Sequence, residues 1–552
     1  MNNATSNATN NASNSGKRMG ALAASVLVAT IAGGAGGAEG AIRRVKAGGF
    51  VLISDGNSWL TPFQTLGQAI AVSQPGDEIW VAAGTYNPGQ SVQGGVVVGS
   101  SDRDRSFVME SGVALYGGFN GTEFFRDQRN PGTNVTVLSG DLTGTPATND
   151  NSRTIVLAIG VDSGGILDGF TITGGYCSDG SSAVQDQTGM GAGMFISGGS
   201  PVIRNCKFVG NSARGGGAIG ALFSSITVQN CSFTQGWGDS RGGGIDMWGC
   251  TNILVEDCHF EGNTAYYGGG IYGNNGTGGR IERCRFVDNL SVNGGGVSWA
   301  GFSNPIVRNC LFLKNRCDQI SFFQHSFDGG AARNWCAGVT YVNCVFNGNW
   351  ARGKGAAVYD AGPSGSTSVQ INCTYVNNSS RDGGVVASVT PHVPVVKNSL
   401  MYDNPVTLTE GVVTLVNTAS GLPHFVDADG ADNLAATIDD DLRLASTSPY
   451  IDAGNNADLP AGTTTDFAGN PRISSQASPA SPVVDLGAYE FTYVPDHCDG
   501  DANADRVVDF DDITTVLSRW LTSGPMGDAD DNGTVDFDDI TAVLSRWLQT
   551  CP

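Results

Sequence analysis

Two stretches near the C-terminus place oxygen-bearing side chains at the spacing by which a twelve-residue loop wraps a hard cation. The stretches begin 27 residues apart. Loop positions 1, 3, 5, 9 and 12 carry Asp501, Asn503, Asp505, Asp509 and Asp512 in the first copy, and Asp528, Asp530, Asn532, Asp536 and Asp539 in the second. Position 7 supplies a backbone carbonyl, from Val507 and Thr534. The spacing therefore predicts two bound Ca²⁺ ions.

The two loops differ at position 6, where the chain must turn sharply. The second loop has Gly533 there, whereas the first has Arg506. A left-handed backbone conformation costs a non-glycine residue about 1 kcal/mol or more. We therefore expect the first site to bind Ca²⁺ more weakly.

Each loop runs into the same helical sequence, residues 512–521 and 539–548. The apolar residues at helical spacing are Ile513, Val516, Leu517, Trp520 and Leu521 in one copy, and Ile540, Val543, Leu544, Trp547 and Leu548 in the other. Residues 498–552 thus resemble a type I dockerin, a small α-helical Ca²⁺-binding domain. The resemblance implies a cohesin-like protein or a cell-surface component as partner. Loop positions 10 and 11, associated with cohesin choice, are Phe-Asp in both copies, unlike the small hydroxyl residues of cellulosomal dockerins.

Composition narrows the class of protein. The chain has 552 residues, 80 of them Gly, and a formal net charge of −22. Twelve Asp and three Arg lie from Cys498 onward, so this tail holds about nine of those charges, mostly predicted Ca²⁺ ligands. The absence of a basic cluster disfavours nucleic acid as a partner.

The N-terminal residues 1–41 are typical of an export signal. Lys17 and Arg18 precede an apolar run from Ala21 to Ala32, and small residues follow. A membrane anchor is the weaker alternative, because the run is short and diluted by Gly. We expect a secreted or cell-surface protein with no transmembrane span after cleavage.

Eight segments between residues 202 and 404 share the template Val-x-Asn-Cys-x-Phe-x-x-Asn, in more or less complete form. Seven of them carry its Cys, at intervals of 25 to 34 residues, and Gly runs separate most of the segments. A period in the twenties with several short strand patterns per unit indicates a coiled β-solenoid. The predicted fold is all-β, a right-handed parallel β-helix. Its repeats, over roughly residues 190–404, resemble those of the chlamydial polymorphic outer-membrane proteins.

The repeated Cys and Phe lie two residues apart and are therefore predicted to point inward and stack. The Asn before Cys suits a left-handed bend between two strands, and such amides can form a ladder. The seven ladder thiols are Cys206, Cys231, Cys258, Cys284, Cys310, Cys344 and Cys373. A buried Cys acts as a small hydrophobe, so we expect these thiols to be reduced.

Flanking segments complete the predicted solenoid, residues 42–421. At its start, Thr61 is expected to N-cap a helix with Pro62 in the first turn and Phe63, Leu66 and Ile70 on one face. Residues 59–86 and 116–123 resemble the opening of secreted pectin-lyase-like β-helix proteins. Residues 422–491 resemble a terminal segment of such proteins and are expected to close the last turn. A linker, 492–497, follows.

The remaining cysteines suggest two bridges. A disulfide between Cys498 and Cys551 would join the ends of the dockerin-like domain, and one between Cys317 and Cys336 would staple an interruption of the repeat. No C-x-x-C spacing indicates a metal site. The pairing of Cys177, Cys250, Cys317 and Cys336 is left open.

That interruption is the best place to look for a ligand site. Thirteen residues separate Asn315 from Gly329, where four or five suffice elsewhere, and long loops on rigid scaffolds often carry function. In pectate-lyase-like β-helices a loop at this turn overhangs a sugar cleft. The candidate carbohydrate-binding residues are Trp248, Tyr272, Trp299, Trp335 and His325. Alternatively, the Phe-rich loop is a plug over ordinary surface residues.

Catalysis has weaker support in the sequence. A β-helix glycosidase needs paired carboxylates, and a lyase needs a base beside a group that neutralises the uronate. The candidate catalytic residues are Asp239, Arg241, Asp246 and Arg333. It stays open whether the chain is an enzyme. If it is one, it is expected to be a polysaccharide lyase or a glycoside hydrolase.

Two functions fit these patterns. The first is a secreted, dockerin-bearing β-helix, tethered through Ca²⁺, whose body takes part in polysaccharide binding or catabolism. The second is a non-catalytic surface or adhesion protein that uses the β-helix as a display scaffold. Aromatic and charged side chains gathered on one face would favour the first, and a uniform Ser, Thr and Asn face the second.

Overall fold

The computed structural model describes most of the chain. The described residues are 40–48, 53–89, 92–93, 96–97, 102–145, 147–177, 189–318, 327–363, 366–473, 482–491, 500, 502–503, 507–521, 528–529 and 534–547. The predicted signal region before residue 40 and the predicted linker lie outside these ranges.

Within them the chain winds into stacked rungs, and each rung adds one short strand to each of several parallel ladders. Sheet 1 consists of Ile42–Val45, Glu78–Ala82, Ala114–Phe119, Ile166–Asp168, Val202–Arg204, Thr227–Gln229, Ile253–Glu256, Gly279–Glu282, Ile306–Arg308, Thr340–Val342, Val369–Ile371, Val395–Tyr402 and Thr414–Ala419. Sheet 2 consists of Gly84–Tyr86, Thr136–Ser139, Phe170–Thr173, Lys207–Val209, Ser232–Thr234, His259–Glu261, Arg285–Val287, Leu311–Leu313, Val345–Asn347 and Thr374–Val376, and ends on the second half of Val395–Tyr402.

Two further ladders complete each rung. Sheet 3 consists of Tyr176–Cys177, Ser212–Gly215, Trp237–Arg241, Thr264–Tyr267, Leu290–Asn293, Arg316–Cys317, Trp350–Ala351 and Ser379–Ser380. Sheet 4 consists of Phe107–Val108, Val156–Ile159, Met194–Ser197, Ile219–Leu222, Ile245–Trp248, Ile271–Asn274, Val297–Ala300, Ala332–Trp335, Val358–Ala361, Val386–Ser388 and Thr409–Glu410. Two small antiparallel pairs join Val92–Gln93 to Val96–Val97 and Phe425–Asp427 to Asp441–Leu444. Short 3-10 turns occupy Asp102–Asp104, Arg126–Gln128 and Asn456–Asp458. The predicted all-β parallel solenoid is confirmed.

The rungs are held in register by a column of aromatic side chains inside the solenoid. Phe208, Phe233, Phe260, Phe286, Phe312, Phe346 and Tyr375 lie in register on successive rungs of sheet 2. Neighbouring rings are stacked with centroids 4.6 to 5.1 Å apart. That spacing matches the distance of about 4.8 Å between hydrogen-bonded strands, so ring stacking and backbone pairing reinforce each other.

The thiol column lies beside the aromatic column, as predicted. All seven ladder cysteines are buried and free. The backbone N–H of Cys284 donates to Sγ of Cys310 at 3.4 Å, and burial raises the pKa of the Cys284 thiol well above its usual value. Cys250, Cys317 and Cys336 are also buried and free, and Cys177 is buried. The expected Cys317–Cys336 bridge is therefore wrong, while Cys498 and Cys551 lie outside the described residues.

The residue before each ladder Cys adopts the left-handed conformation, as expected for the bend between sheets 1 and 2. The φ angle is 53° at Asn205 and 52° at Asn309. Side-chain amides meet across adjacent rungs, as in the bond from Asn343 Nδ2 to Asn309 Oδ1 at 3.0 Å.

A second amide ladder, which the sequence did not predict as a ladder, occupies the last position of the repeat. Asn263, Asn289, Asn315, Asn349, Asn378 and Asn404 pass Nδ2–H bonds to one another at 2.9 to 3.1 Å. The Asn289 side chain also donates to the carbonyl of Phe260 at 2.9 Å and accepts from the backbone N–H of Asn263 at 3.0 Å. Each buried amide thus has partners on both neighbouring rungs, as a buried polar group requires.

The Gly runs join sheets 3 and 4 where the chain passes close to the next rung. Gly268 has a φ of 63°. A Cβ at Gly270 would lie 2.8 Å from the carbonyl oxygen of Gly296 and 2.9 Å from the Phe286 ring. Glycine is therefore required for the rungs to stack at this corner.

The first helix begins later than the sequence predicted. Helix α1 spans Leu66–Val72, and Thr65, not Thr61, is its N-cap. The Thr65 side chain accepts from the backbone N–H of Gln68, whose side chain accepts from the N–H of Thr65, which completes a capping box. Thr61 is instead used in a turn, where its carbonyl accepts from Gly56.

The sequence analysis expected the C-terminal segment 422–491 to close the last rung, but the segment does not. Leu442 and Ala488 pack instead on Val345 and Val376, which point outward from sheet 2. The left-handed Asn side chains of the last rungs bind this segment: Asn372 Nδ2 donates to the carbonyl of Asp485 at 2.9 Å. Leu415, on the final strand, stays 42% exposed. The segment covers the flank of the solenoid because these rungs present apolar side chains outward.

In the described part of the chain, no helix is long and apolar enough to cross a bilayer.

Replacing Cys284 by Asp should strongly destabilise the solenoid, because a carboxylate without a partner would be buried in the thiol column. Burial of an unpartnered polar group costs about 2 to 7 kcal/mol, and an ionised one costs more. Chemical denaturation of the two variants against wild type measures the effect. The control is Cys284→Ala, which removes the thiol without adding charge. Equal loss of stability in both variants would contradict the inward placement.

Candidate functional site

The outer faces of sheets 3 and 4 gather the aromatic and charged side chains that the sequence singled out. On sheet 4 the first and third residues of each strand point inward, as Ile245 and Met247 do, and the second and fourth point outward. In the second position, Asp246, Tyr272, Ser298, Arg333 and Tyr359 follow one another in register on successive rungs. Because the rungs stack in register, residues far apart in sequence form one surface.

At one end of this surface is an arginine held between two aromatic rings and a carboxylate. Arg241 ends a strand of sheet 3, and its Nε lies 3.0 Å from Oδ2 of Asp246. Its guanidinium carbon lies 5.5 Å from the ring centre of Trp248 and 5.8 Å from that of Tyr272. The contacts are within cation–π range. We call these four residues the first arginine cluster.

Asp246 is fully buried beneath this arginine. Burial raises the pKa of its carboxyl to about 6, and the charge of Arg241 opposes the shift. A Cβ at Gly215, on sheet 3, would lie 2.3 Å from Oδ2 of Asp246, so a glycine is needed to admit the carboxylate. The pKa of Tyr272 rises to about 12, chiefly through burial. Asp246 therefore supports Arg241 from below rather than facing solvent.

Three rungs further along lies a second arginine cluster, formed by Arg333, Trp335 and Tyr267. The guanidinium carbon of Arg333 lies 4.5 Å from the Trp335 ring centre and 5.6 Å from that of Tyr267. Arg333 is 7% exposed and Trp335 is 40% exposed. Burial lowers the pKa of Arg333. No carboxylate within the described residues lies within 4.0 Å of this guanidinium, and its Nε has no hydrogen-bond partner there.

The surface continues beyond the second cluster. Asp328 is 4% exposed, and its Oδ1 accepts from the backbone N–H of Lys354 at 2.8 Å. The pKa of Tyr359 is raised to about 12 by burial and by the charge of Asp328. On sheet 3 the Arg316 guanidinium lies 5.7 Å from the ring centre of Trp350.

The structure places the candidate carbohydrate-binding residues in different environments. Trp248 is half-buried and Trp335 exposed on the outer face. Tyr272 points outward but is only 6% exposed, under Arg241. The prediction that Trp299 lies on the surface is wrong. It occupies the third position of its strand, and its ring fills the inward space left by Gly273. His325 lies outside the described residues.

The candidate catalytic residues do not converge. Arg241 and Asp246 form an ion pair, whereas Arg333 belongs to the second cluster, three rungs away. Asp239 is exposed, and its Oδ1 accepts from Nε1 of Trp237 at 2.5 Å. Sequence reasoning missed Trp237, Tyr267 and Trp350, although sheet 3 precedes each Gly run and its outward positions can be read from the same alternation.

The described parts of the two acidic loops fit Ca²⁺ coordination by oxygen. Asp512 and Asp539, at position 12, are fully buried, and Asp528 is 4% exposed. The carboxylate of Asp512 accepts from the N–H of Asn503 at 3.0 Å and of Asp509 at 2.8 Å, which folds the loop around it. Asp501, Asp505, Asp530 and Asn532 lie outside the described residues, which by themselves hold no metal-binding group of three or more His, Cys, Asp or Glu. An oxygen donor set of this kind suits Ca²⁺.

The helices after the loops are shorter than predicted and bury only part of their apolar stripes. Helix α2 spans Phe510–Ser518 and α3 spans Phe537–Ser545. Val516 and Val543 are buried in a shared core with Val508 and Val535. Ile513 and Ile540 are partly buried against this core. Leu521 is exposed, and three matching pairs are exposed as well: Phe510 and Phe537, Leu517 and Leu544, Trp520 and Trp547.

Comparisons with known proteins agree with the solenoid. Residues 191–379 match the family described as a right-handed beta helix region, and residues 53–247 match a family of proteins of unknown function, DUF1565. No curated protein matches the chain.

Solved structures similar to this chain include, by their titles, a pectate lyase, a surface adhesin and an endo-xylogalacturonan hydrolase. The pectate lyase Pel9A is 15% identical, with 82% of this chain and 97% of that chain covered and a TM-score of 0.42. PfbA, a surface adhesin of Streptococcus pneumoniae, is 11% identical, with 64% and 85% covered and a TM-score of 0.31. An endo-xylogalacturonan hydrolase from Aspergillus tubingensis is 11% identical, with 74% and 100% covered and a TM-score of 0.32.

Replacing Asp246 by Asn should flatten the pH dependence of stability between about pH 4 and pH 6. The folded-state pKa of about 6 lies above the usual value of about 3.9, so the folded chain holds the extra proton in this window. The contribution of Asp246 to the free energy of unfolding is therefore present below about pH 4 and is lost as pH rises through about 6, by about 2 to 3 kcal/mol.

Denaturant titrations of wild type and Asp246→Asn across this pH range measure the difference. Asp239→Asn, which removes an exposed carboxylate on the neighbouring sheet, is the control. A constant difference between wild type and Asp246→Asn over the whole range would show that Asp246 does not titrate abnormally.

Proposed function

We propose that this chain is a secreted polysaccharide-binding protein, with the solenoid as the binding body and residues 498–552 as a Ca²⁺-dependent tether. The observation that carries the proposal is the outward surface formed by the two arginine clusters. Aromatic faces stack on sugar rings, and guanidinium groups donate hydrogen bonds to their oxygens. Such faces are supplied by the exposed Trp335 and the half-buried Trp248 of the clusters, and by the exposed Trp237 of sheet 3.

The geometry supports binding rather than catalysis on this surface. A general acid or base must lie within hydrogen-bond reach of the substrate. Asp246 is fully buried and paired with Arg241. Asp239 is exposed on the same strand as Arg241, and it therefore has no second exposed carboxylate among the candidate catalytic residues. A polysaccharide held across the rungs would therefore contact aromatic rings and arginines, and the carboxylate beneath would hold Arg241 in place.

For the tether, the exposed residues of α2 and α3 provide a surface for a protein partner. Each copy exposes one Phe, one Leu and one Trp at equivalent positions. Exposed apolar patches of this kind mark interaction sites. A cohesin-like protein or a cell-surface component is the partner that we propose, which would hold the solenoid outside the cell close to its polysaccharide.

A display scaffold without a carbohydrate ligand is the competing function. This function accounts for the tether and the solenoid, but it assigns no ligand to the arginine clusters. The binding experiment below separates the two functions.

The full-length protein should bind two Ca²⁺ ions, and chelation should lower the thermal stability of residues 498–552. Binding that favours the folded state stabilises it by RT ln(1 + [L]/Kd), about 2.7 kcal/mol at a hundredfold excess over Kd. Isothermal titration with Ca²⁺ measures the stoichiometry. Asp539→Asn should remove the tighter site and Asp512→Asn the weaker one, because Arg506 replaces glycine in the first loop. No heat of Ca²⁺ binding in the wild type would exclude the tether.

Replacing Trp335 by Ala should weaken polysaccharide binding about fivefold to a hundredfold, because a stacked aromatic face and its cation–π contact are lost. Affinity electrophoresis against a panel of plant and algal polysaccharides identifies the ligand and measures the change. Phe124→Ala, which removes an 81% exposed ring elsewhere on the chain, is the matched control. If wild type binds none of the panel, or if Trp335→Ala binds as wild type does, the display scaffold is the better account.

A further inference from the structure

The two arginine clusters have similar components but are built from different strands, because Arg241 ends a strand of sheet 3 whereas Arg333 lies on sheet 4. In each, a guanidinium lies over a Trp at the end of a sheet 4 strand and close to a Tyr ring. In the first cluster, the edge of Arg241 is paired with the carboxylate of Asp246 at 3.0 Å. In the second, Arg333 has no carboxylate within 4.0 Å among the described residues. The first cluster therefore shows what partner the second one lacks.

We infer that Arg333 is a binding site for an anionic group on the ligand, a carboxylate or a sulfate ester of an acidic polysaccharide. This inference rests on the proposed function and adds the chemical class of the polymer. An arginine remains charged in proteins even when burial lowers its pKa, and charged residues are rarely buried unless they are paired. A ligand anion would supply the missing pair.

The rings determine which part of Arg333 is open to a ligand. Trp335 and Tyr267 lie near the guanidinium at cation–π distances. Stacking on the planar face leaves the N–H donors in the plane of the group. Nε is buried and has no hydrogen-bond partner in the described residues, so the terminal Nη atoms are the donors that a ligand would meet. A planar fork of donors binds a carboxylate or a sulfate through two parallel hydrogen bonds.

Neighbouring charges leave a positive surplus at this position. Asp318 lies 3.2 Å from Arg316 and 3.6 Å from Arg352, so one carboxylate is shared by two guanidiniums. Asp328 is the acidic residue that acts on the charge of Arg333. It accepts from the Lys354 backbone and acts on Arg333 as a neighbouring charge. Among the described residues of this region, Arg316, Arg333 and Arg352 thus outnumber Asp318 and Asp328, although the chain as a whole is negatively charged.

The neighbouring tryptophan then determines the class of ligand. Trp335 is 40% exposed and can stack on a sugar ring while that ring's charged substituent meets Arg333. A free anion such as inorganic phosphate would use the arginine alone. A sugar with a carboxylate or a sulfate uses both, which is why we infer an acidic polysaccharide rather than a small inorganic anion.

The test uses the full-length protein and oligosaccharides of equal length in charged and uncharged pairs. One pair is a galacturonate oligosaccharide and its carboxyl-reduced form, and the other is a sulfated galactan oligosaccharide and its desulfated form. Calorimetry should show tighter binding of the charged member in at least one pair. Arg333→Gln should weaken binding of that member about tenfold to a hundredfold and weaken binding of the uncharged member much less. The pair that responds distinguishes carboxylate from sulfate.

Three variants keep the outcomes separate. Arg285→Gln, which removes an exposed arginine on sheet 2, controls for net charge. Arg333→Lys keeps the positive charge but not the planar fork of donors. It replaces Arg333→Gln if that variant does not fold, and it should weaken binding of the charged member about threefold or more. Trp335→Ala should weaken both members of the pair. If Trp335→Ala has no effect on any glycan, the proposed function fails. Suppose that Trp335→Ala weakens binding, and that Arg333→Gln changes the affinity for charged and uncharged ligands equally or changes neither. Then only the anionic site is overturned.

Discussion

In-register stacking of one rung on the next is the constraint on which the rest of this molecule depends. Each rung contributes a Phe ring that stacks at 4.6 to 5.1 Å on its neighbours and an Asn amide that bonds to the amides above and below. One rung cannot bury its apolar side chains alone, so stability comes from repetition. The glycines at the corner between sheets 3 and 4 are a consequence, because a Cβ there would prevent the close approach that stacking needs.

The same stacking produces the outer surface. Since every inward ladder is in register, the outward positions are in register as well, and Asp246, Tyr272 and Arg333 align although up to 87 residues separate them. The rigid ladder thus presents the two arginine clusters as one continuous surface, since their Tyr267 and Tyr272 rings lie 5.9 Å apart. A long polymer can meet both clusters along this surface. The surface is suited to an extended ligand for this reason.

The repeats made the interior predictable from the sequence, because the identity of an inward residue recurs at every rung. The Cys and Phe columns and the left-handed Asn bend were read from that recurrence. Trp299 was misplaced because alternation along the strand decides the side: it is third in its strand and points inward, whereas Trp248 is fourth and points outward. The burial of Asp246 could not be read from one strand, since Arg241 of another sheet covers it.

The ends of the solenoid were harder to predict, because they do not repeat. Thr61 and Thr65 are both good N-cap residues, and only the reciprocal bonds with Gln68 decide in favour of the second. The lateral docking of segment 422–491 depends on apolar residues such as Val345 and Val376 that point outward from the last rungs. In the sequence they look like ordinary members of an alternating strand, and nothing local shows that a distant segment covers them.

A crystal structure of the full-length protein with a bound acidic oligosaccharide tests the central claim most directly. The account predicts sugar density across sheets 3 and 4, with a ring on Trp335, a carboxylate or sulfate on the Arg333 guanidinium, and the chain running along the stack of rungs. Density on another face of the solenoid, or a ligand that contacts neither arginine cluster, would contradict it.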